Sequence, residues 1–284
     1  MINQLSKNSF SRRQFLQTLA VAGVTAAGAW QTALAQGRKV DSIGLQLYSL
    51  RTEMAADFDG TLARLAELGF KEMEFAGYFG NSPSEVRQIL DKNGLVSPAA
   101  HIPLNEIQDN LSQVIDTAAT LGQKYIVLPF LVGDDRKYEN YARIADLLNN
   151  AGEQAKAVGI KMGYHNHSFE FDKHDGKMGY DVLLEQTDPD LVFFEMDLYW
   201  AANAGVDATE YFRKYPGRFP MLHVKDRMSD GSMADVGRGT IDFASIFALA
   251  ETAGFKHYFI EHDNPSDGMN SITYSYNSLN NLRY

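Results

Sequence analysis

Ionisable residues separated by a single position recur along the sequence. In the stretch "YHNHSFEF", His165 and His167 have this spacing. Three later stretches repeat it, with Glu195 and Asp197, His223 and Lys225, and Glu261 and Asp263. Side chains two positions apart point to the same face of a β-strand, so each pair would aim two polar groups at one place. Imidazoles and carboxylates bind divalent cations and transfer protons, so the pattern indicates a metal or catalytic site.

Four of these residues form a candidate metal site. Asp197, His223 and Glu261 lie at corresponding ends of three successive predicted strands, and His165 lies one strand earlier. Each residue alone has a structural explanation, such as a hydrogen-bonded histidine, a capping aspartate or a glutamate paired with an arginine. Their convergence favours a divalent metal ion, and the ligand types suit Mn²⁺, Co²⁺, Zn²⁺ or Mg²⁺ without selecting among them. The chain has no cysteine, which excludes disulfides and thiolate ligands.

Further polar and aromatic residues are candidates for proton transfer and substrate binding. The proton-transfer candidates are His101, His167 and Lys225. Lys225 fits two roles, a base whose pKa is lowered by a nearby metal and partial burial, or a cation that binds a substrate oxygen. The substrate-binding candidates are Gln46, Tyr48, Glu74, Trp200 and Arg238. Trp200 could stack on a sugar ring or pack in the core, and Arg238 could reach over the site or stay in solvent.

Eight stretches predict the strands that must hold these residues. Their bounds are 42–49, 71–77, 96–102, 124–130, 160–167, 191–200, 220–226 and 257–263. Several helical runs between them end at a glycine followed by an apolar residue, a lysine and a strand, as in "ELGFKEMEF" and "TAGFKHYFI". Each gap has room for the loop and helix that parallel strands require. The pattern predicts one (β/α)8 TIM barrel domain over residues 36–284, with its chemistry at the C-terminal ends of the strands.

Two helix starts have recognisable capping residues. Ser82 and Glu85 have the spacing of a capping box, with Pro83 at the first helical position. Asp242 is predicted to cap the helix that begins "FASIF".

The N-terminus has the features of an export signal. Arg12 and Arg13 precede a weakly apolar run that ends in an A-x-A site at residues 33–35. This arrangement predicts a twin-arginine signal peptide over residues 1–35 and a periplasmic protein. The alternative is a membrane anchor, but polar residues and glycine interrupt the run, which falls short of the roughly 20 residues needed to span a bilayer. We therefore expect no membrane attachment after cleavage.

The overall charge limits the classes of partner. The net charge is −10 and the pI is near 5.2, whereas nucleic-acid-binding proteins usually carry a basic face. The composition, 45% hydrophobic and 22% charged, is that of an ordinary globular protein. We therefore expect a small-molecule ligand and no nucleic acid.

A family resemblance rests on five motifs in this order, "YHNHSFEF", "FFEMDLYW", "HVKDR", "VGRGTIDF" and "FIEHD". From Ile43 to about Asp263 the chain resembles the sugar phosphate isomerase/epimerase group of xylose-isomerase-like TIM barrels. Relatives include ketose epimerases, inosose and dehydroshikimate dehydratases, and endonuclease IV. Their commonest metal ligands are Glu, Asp, His and Glu on strands five to eight. The last three match the metal-site candidates above, whereas the strand-five position is His165, with His167 and Glu170 close by.

The resemblance implies a divalent-metal-dependent sugar isomerase or epimerase, or a keto-sugar lyase, acting through a metal-stabilised enediolate. Together with the predicted signal peptide, it predicts an exported enzyme. The expected substrate is a small sugar or keto-sugar, and barrels of this group often form homodimers. Two other classes stay open. One is an endonuclease IV-like metal-dependent hydrolase, which the acidic pI disfavours, and the other is a non-catalytic periplasmic sugar-binding barrel.

Overall fold

The computed structural model describes residues 37–284, and the predicted signal peptide over residues 1–35 lies outside the described residues. Eight parallel strands form the centre of the molecule, each within one of the eight predicted stretches. They are β1 (Ile43–Gln46), β2 (Glu72–Phe75), β3 (Val96–His101), β4 (Tyr125–Leu128), β5 (Lys161–His165), β6 (Val192–Asp197), β7 (Met221–Val224) and β8 (His257–Ile260).

The strands close into a barrel in which neighbours in space are neighbours in sequence. β1 completes the circle, because Gly44 pairs with Glu72 of β2 on one side and with Phe259 of β8 on the other. The predicted (β/α)8 TIM barrel is therefore confirmed.

Every strand is followed by at least one helix, and the helices surround the barrel. Within residues 37–284 they are α1 (Arg51–Ala56), α2 (Phe58–Leu68), α3 (Pro83–Asn93), α4 (Leu104–Asp109), α5 (Leu111–Leu121), α6 (Tyr141–Lys156), α7 (Gly179–Gln186), α8 (Leu198–Asn203), α9 (Ala208–Lys214), α10 (Phe243–Phe247), α11 (Ala250–Ala253) and α12 (Gly268–Asn281). Two antiparallel ribbons, Lys173–His174 with Lys177–Met178 and Asp226–Arg227 with Met233–Ala234, lie in the loops after β5 and β7.

The predicted helix caps are confirmed. The Ser82 hydroxyl accepts a hydrogen bond from the Glu85 N–H, and the Glu85 carboxylate accepts one from the Ser82 N–H at 2.8 Å. Asp242 accepts from the N–H of Ser245 at the start of α10. These caps satisfy N–H groups that have no partner inside the helix, and so fix where each helix begins.

Large and small side chains fill the lower part of the barrel. A buried apolar cluster there consists of Ala99, Tyr125, Val127, Phe193, Met221 and Phe259. The Phe193 ring lies against Gly163, where an added Cβ would come within 2.3 Å of the ring. This apolar layer closes the barrel beneath the polar residues; Glu195, His223 and Glu261 each come two positions after a member of the layer.

Val40–Leu282 form one compact unit, which contains all the candidate site residues. Among residues 37–284, we find no helix that combines the length and the apolar character needed to cross a bilayer.

Candidate active site at the barrel mouth

The strand ends bring the four predicted metal ligands together. His165 and Asp197 are the last residues of β5 and β6. His223 precedes the last residue of β7, and Glu261 directly follows β8. All four are buried, and one ligand atom from each lies within 4.8 Å of the others. We call these four residues the metal group, because two imidazole nitrogens and two carboxylate oxygens fit the expected divalent cations.

Short contacts join the members of the metal group. His165 Nε2 lies 3.3 Å from Asp197 Oδ2. His223 Nδ1 lies 2.7 Å from Glu261 Oε2 and 3.8 Å from Asp197 Oδ2. The ligand atoms therefore face one another across a small volume, as a shared cation would require.

The Lys225 ammonium shares the carboxylates of the metal group. Its Nζ lies 3.0 Å from Asp197 Oδ2, 2.7 Å from Glu261 Oε2 and 2.7 Å from Asp263 Oδ1. Burial opposes the charge on Lys225, but the three carboxylates outweigh it and raise the pKa of the ammonium well above its ordinary value. The three carboxylates therefore favour the charged ammonium, which donates hydrogen bonds to them.

A second polar cluster lies on the other side of the His223 ring. His223 Nε2 lies 2.7 Å from Glu74 Oε2 and 3.2 Å from Glu195 Oε2. His101 Nε2 lies 2.8 Å from the same Glu195 oxygen, and Gln46 Nε2 donates to Glu74 Oε2 at 2.8 Å. We call Glu74, His101, Glu195 and His223 the inner group. Its ligand atoms also lie within 4.8 Å of one another, so this group too could hold a cation.

The carboxylates of the two groups have shifted pKa values. Burial and the negative charge of Glu195 raise the pKa of Glu74. Burial also opposes ionisation of Glu195, but His223 and His101 outweigh it and lower its pKa. The pKa of Glu261 is likewise lowered well below its ordinary value by Lys225 and His223, against the effect of burial. Burial and Glu261 raise the pKa of Asp263 to about 6.

The two histidines of "YHNHSFEF" both line the cavity above the metal group. Their ring centroids are 5.0 Å apart, although His167 lies beyond the end of β5. Burial, followed by the nearby positive groups His165 and Lys225, lowers the pKa of His167 to about 2. Its Nδ1 is buried and has no hydrogen-bond partner among the described residues. His167 is thus a neutral imidazole in the lining of the cavity.

Glu170 has a structural role beside this pair. Its Oε1 accepts from the Tyr164 hydroxyl and its Oε2 accepts from the backbone N–H of His167, both at 2.8 Å. Burial raises the pKa of Glu170 to about 8. The carboxylate thereby fixes the turn after β5 and lies outside the metal group.

Hydrogen bonds with neighbouring residues, in addition to its ion pairs, hold Asp197 in place. Its Oδ1 accepts from the Trp200 N–H at 2.9 Å and so caps α8. The Asn166 side chain accepts from the Asp197 N–H at 2.9 Å and donates to the Asp197 carbonyl at 3.3 Å. These bonds orient the other carboxylate oxygen, Oδ2, toward the metal group.

A cavity of about 1130 Å³ opens above the metal group. Its lining includes the predicted residues Tyr48, His101, His165, His167, Trp200, Lys225 and Glu261. Gln46 and Glu74 are fully buried and hydrogen-bonded to each other beneath it. Arg238 lies in a separate cavity, where it pairs with Asp235 at 3.4 Å and covers the ring of Tyr274. The structure therefore brings the predicted residues together except for Arg238.

The candidate list from the sequence omits two carboxylates of the site. Glu195 lies two residues before Asp197 on the same face of β6, and Asp263 lies two residues after Glu261. Both stood in the alternating pattern of polar residues. That pattern could have identified them, but it does not show that Glu195 meets His101 or that Asp263 meets Lys225.

These features define a class of protein. A closed (β/α)8 barrel with buried carboxylates and imidazoles beneath a large cavity at the C-terminal ends of its strands is the arrangement of a barrel enzyme. Residues 62–279 match the family of xylose isomerase-like TIM barrels, and the chain belongs to this family.

Its relatives are enzymes of sugar and cyclitol chemistry. An inosose dehydratase of Clostridium perfringens strain ATCC 13124 is 24% identical over 242 residues, which cover 72% of this chain and 81% of the relative. The crystal structure of a sugar phosphate isomerase/epimerase from Parabacteroides distasonis superposes with a TM-score of 0.72 at 28% identity. That match covers 82% of this chain and 91% of the other. A D-tagatose 3-epimerase-like protein, with a TM-score of 0.62 at 16% identity, shares the fold. The chain is accordingly an enzyme.

Proposed function

We propose that this enzyme removes a proton from the carbon next to the carbonyl of a keto-sugar or keto-cyclitol, with a divalent metal ion as cofactor. Return of a proton would give an isomer or epimer, and loss of a leaving group would make the enzyme a lyase. The metal group on the floor of the cavity is the observation that carries the proposal. The similarity to inosose dehydratases and to a sugar phosphate isomerase/epimerase supports this substrate class.

The metal group would hold the cation through His165, Asp197, His223 and Glu261. A divalent cation bound there supplies Lewis acidity toward a carbonyl oxygen and stabilises negative charge that develops during enolisation. Lys225 lies beside two of these carboxylates and donates from the same side. Its ammonium can therefore bind a substrate oxygen next to the cation.

His101 is the group that we propose for proton transfer, as a donor when charged and as an acceptor when neutral; burial opposes its charge, but Glu74 and Glu195 outweigh burial and raise its pKa. Its Nε2 lies 2.8 Å from Glu195, which fixes the ring in one orientation and leaves Nδ1 for the cavity that His101 lines. A carboxylate behind an imidazole is a common way to orient a general base. Glu195 is thus a positioning residue, and His101 is the residue that contacts the substrate.

His167 supplies a second polar group at a different position. Its ring and the His101 ring each lie 5.0 Å from the His165 ring, on which both pack. The neutral ring of His167 can form a hydrogen bond with a substrate hydroxyl in the cavity. Two imidazoles would then flank one metal ligand, one for proton transfer and one for substrate binding.

The decisive experiment follows hydrogen exchange in heavy water. Metal-loaded protein is incubated with inososes, ketoses and 3-keto-glycosides, and deuterium incorporation and product formation are measured by NMR. We expect exchange next to the carbonyl of at least one compound, loss of exchange after chelation, and recovery with Mn²⁺ or another divalent ion. Exchange that persists without metal would contradict the proposed mechanism.

The same experiment separates the other classes. A protein that binds both metal and sugar but exchanges no proton with any compound would be a sugar-binding barrel. Cleavage of phosphodiester substrates by the metal-loaded protein would indicate an endonuclease IV-like hydrolase. The net charge of −10 disfavours that hydrolase, because phosphodiester backbones are bound by positive surfaces.

We also propose export by the twin-arginine route. The support is the sequence of residues 1–35 alone. Replacing Arg12 and Arg13 together by lysine should leave unprocessed precursor in the cytoplasm, as detected by fractionation and blotting. Normal periplasmic accumulation of this variant would rule the route out.

A further inference from the structure

Arg136 is held between two aromatic rings at the edge of the cavity. It ends a short 3₁₀ turn, Gly133–Arg136, in the loop after β4. Its guanidinium carbon lies 4.2 Å from the ring centroids of both Phe130 and Phe169. Its Nε donates to the Leu131 carbonyl at 2.6 Å. Stacking and one backbone bond therefore fix the guanidinium without any carboxylate partner.

The two terminal nitrogens of Arg136 are left for a ligand. Among residues 37–284, neither nitrogen has a hydrogen-bond or ion-pair partner, and Arg136 lines the same cavity as the metal group. A guanidinium offers its terminal N–H groups as a fork that matches a carboxylate or a phosphate. Because Arg136 lines the cavity, this fork is within reach of a ligand bound there.

The other charged groups of this cavity already have partners in the described part of the chain. Lys225 is surrounded by three carboxylates, among them Glu261 and Asp263 of the lining. Glu106 accepts from the side-chain amide of Asn110 at 2.9 Å. Arg136 is therefore a lining cation that forms no ion pair within residues 37–284, although its charge also acts on the buried carboxyl group of Glu170.

We propose that Arg136 binds an acidic group of the substrate, a carboxylate or a phosphate. The substrate would then be an acidic sugar, and this inference rests on the proposed function only in taking the ligand to be a sugar. Phe169 connects the two ends of the cavity, since it stacks on Arg136 and, at 5.9 Å and an interplanar angle of 18°, on His167. The acidic group would bind one ring beyond His167, away from the metal group, and would orient the carbon that reacts.

Calorimetric binding to metal-loaded protein tests the inference with D-glucose, D-glucuronate and D-glucose 6-phosphate. We expect one or both acidic probes to bind more tightly than glucose, and the stronger of the two identifies a carboxylate or a phosphate as the ligand. The Arg136→Gln substitution should lower the affinity for the acidic probes by about 10- to 100-fold, the range for loss of hydrogen bonds to charged groups. Glucose binding should stay unchanged.

Two further variants control for structure and for general charge. Arg136→Lys keeps the charge but loses the fork, so we expect an intermediate loss. Arg143→Gln removes a nearby arginine that already pairs with Asp135 and lies outside the cavity lining, so it should leave all three affinities unchanged.

The result that overturns the inference is equal binding of neutral and acidic probes, or a preference for acids that survives Arg136→Gln. In the second case the acid binds at the metal or at Lys225. Because the readout is binding, failure of proton exchange would contradict the proposed function and leave this inference standing.

Discussion

Two levels of the barrel interior differ sharply although the same strands build both. Phe193, Met221 and Phe259 belong to the lower, apolar layer. Two residues further along, the same strands carry Glu195, His223 and Glu261, all buried and all charged or polar. Residues two apart on one face of a strand are about 6 to 7 Å from each other. The interior therefore changes from apolar packing to polar, ionisable residues within that distance. The apolar layer stabilises the barrel, and this stability offsets the cost of burying carboxylates and imidazoles close together in the upper layer.

Imidazole–carboxylate pairs occur at both ends of the barrel, but their surroundings differ. At the lower end, His257 Nδ1 lies 2.8 Å from Glu72 Oε2, and the two side chains keep 17% and 12% of their surface exposed. At the mouth, His223 and Glu261 are 2.7 Å apart and belong to a cluster of further carboxylates and imidazoles. A single pair is therefore no indication of a site. The convergence of several strand ends is what separates the mouth from the base.

The largest effect on activity is expected from Asp197→Asn. The asparagine oxygen can still cap α8, but the charge that the metal group needs is lost. We expect turnover and bound metal to fall below detection, while the protein folds normally. Metal analysis, an exchange assay and a urea unfolding curve check these outcomes.

Asp197→Ala is the matched comparison for the capping role. It should lose metal in the same way and also lower the free energy of unfolding by about 1 kcal/mol, because the cap is removed. Metal content near that of the unaltered protein in either variant would remove Asp197 from the metal group.

The apolar layer should show the opposite behaviour. Phe193→Ala removes a ring that fills the barrel against Gly163, and we expect the free energy of unfolding to fall by about 3–5 kcal/mol. Metal affinity of the folded fraction should stay the same, because Phe193 contacts the base of the barrel. Denaturant unfolding and Mn²⁺ titration measure the two quantities. A large change in metal affinity would show that the layers are not independent.

A finer comparison lies within "YHNHSFEF". His165→Ala should weaken metal binding by more than the roughly 10- to 100-fold typical of a residue that only supports a ligand. His167→Ala should keep the metal and lose turnover, since His167 lines the cavity but lies outside the metal group. Mn²⁺ titration and the exchange assay compare the variants. The reverse order of metal affinities would assign the fourth ligand to His167.

The smallest predicted effect on the site itself concerns Glu170, whose titration changes stability with pH. Its pKa is about 8 in the folded protein, above its ordinary value of 4.5, so the folded state binds the proton more tightly than the unfolded state. Stability from this group is full below about pH 4.5 and is lost as the pH rises through 8. Between pH 6 and 8 the loss should be about 2 kcal/mol.

Glu170→Gln removes the titrating group, so its unfolding free energy should vary less between pH 6 and 8. The variant also loses one acceptor, for Tyr164 or for the His167 N–H, so we expect lower stability at pH 6. Parallel urea unfolding curves at the two pH values provide the comparison. Identical pH dependence in the two proteins would show that Glu170 is ionised throughout.

The fold could be predicted because its signals are local. Alternating polar residues, terminal glycines and caps such as Ser82 with Glu85 each depend on a few neighbouring residues. The predicted strands extend past the C-terminal ends that the structure shows: the first ends at Gln46 and not at residue 49, and the sixth ends at Asp197 and not at residue 200. Tyr48 lies in a 3₁₀ turn and Trp200 in α8, since the side chains of Gln46 and Asp197 accept N–H groups just beyond the strands and start new elements.

The part of the site that could be predicted is the part carried by strands, where alternate side chains share a face. His165, Asp197, His223 and Glu261 meet because equivalent positions of parallel strands converge in a closed barrel. No periodic sequence pattern predicts which residues meet through loops. Arg238 points to Tyr274 in a separate cavity, and the stacking of Arg136 depends on two loops that no periodic pattern relates.

The His223 ring joins the metal group and the inner group, and this has a consequence for proton placement. A neutral imidazole carries one N–H, so a cation at Nδ1 requires the hydrogen to lie on Nε2. That hydrogen then faces Glu74 and Glu195, at 2.7 and 3.2 Å. A cation bound by the metal group would thereby select the tautomer of His223 and the hydrogen bonds that Glu74 and Glu195 accept, and Glu195 in turn holds His101. Through one imidazole ring, metal binding on one side would change the hydrogen bonding on the other side without any movement of the backbone.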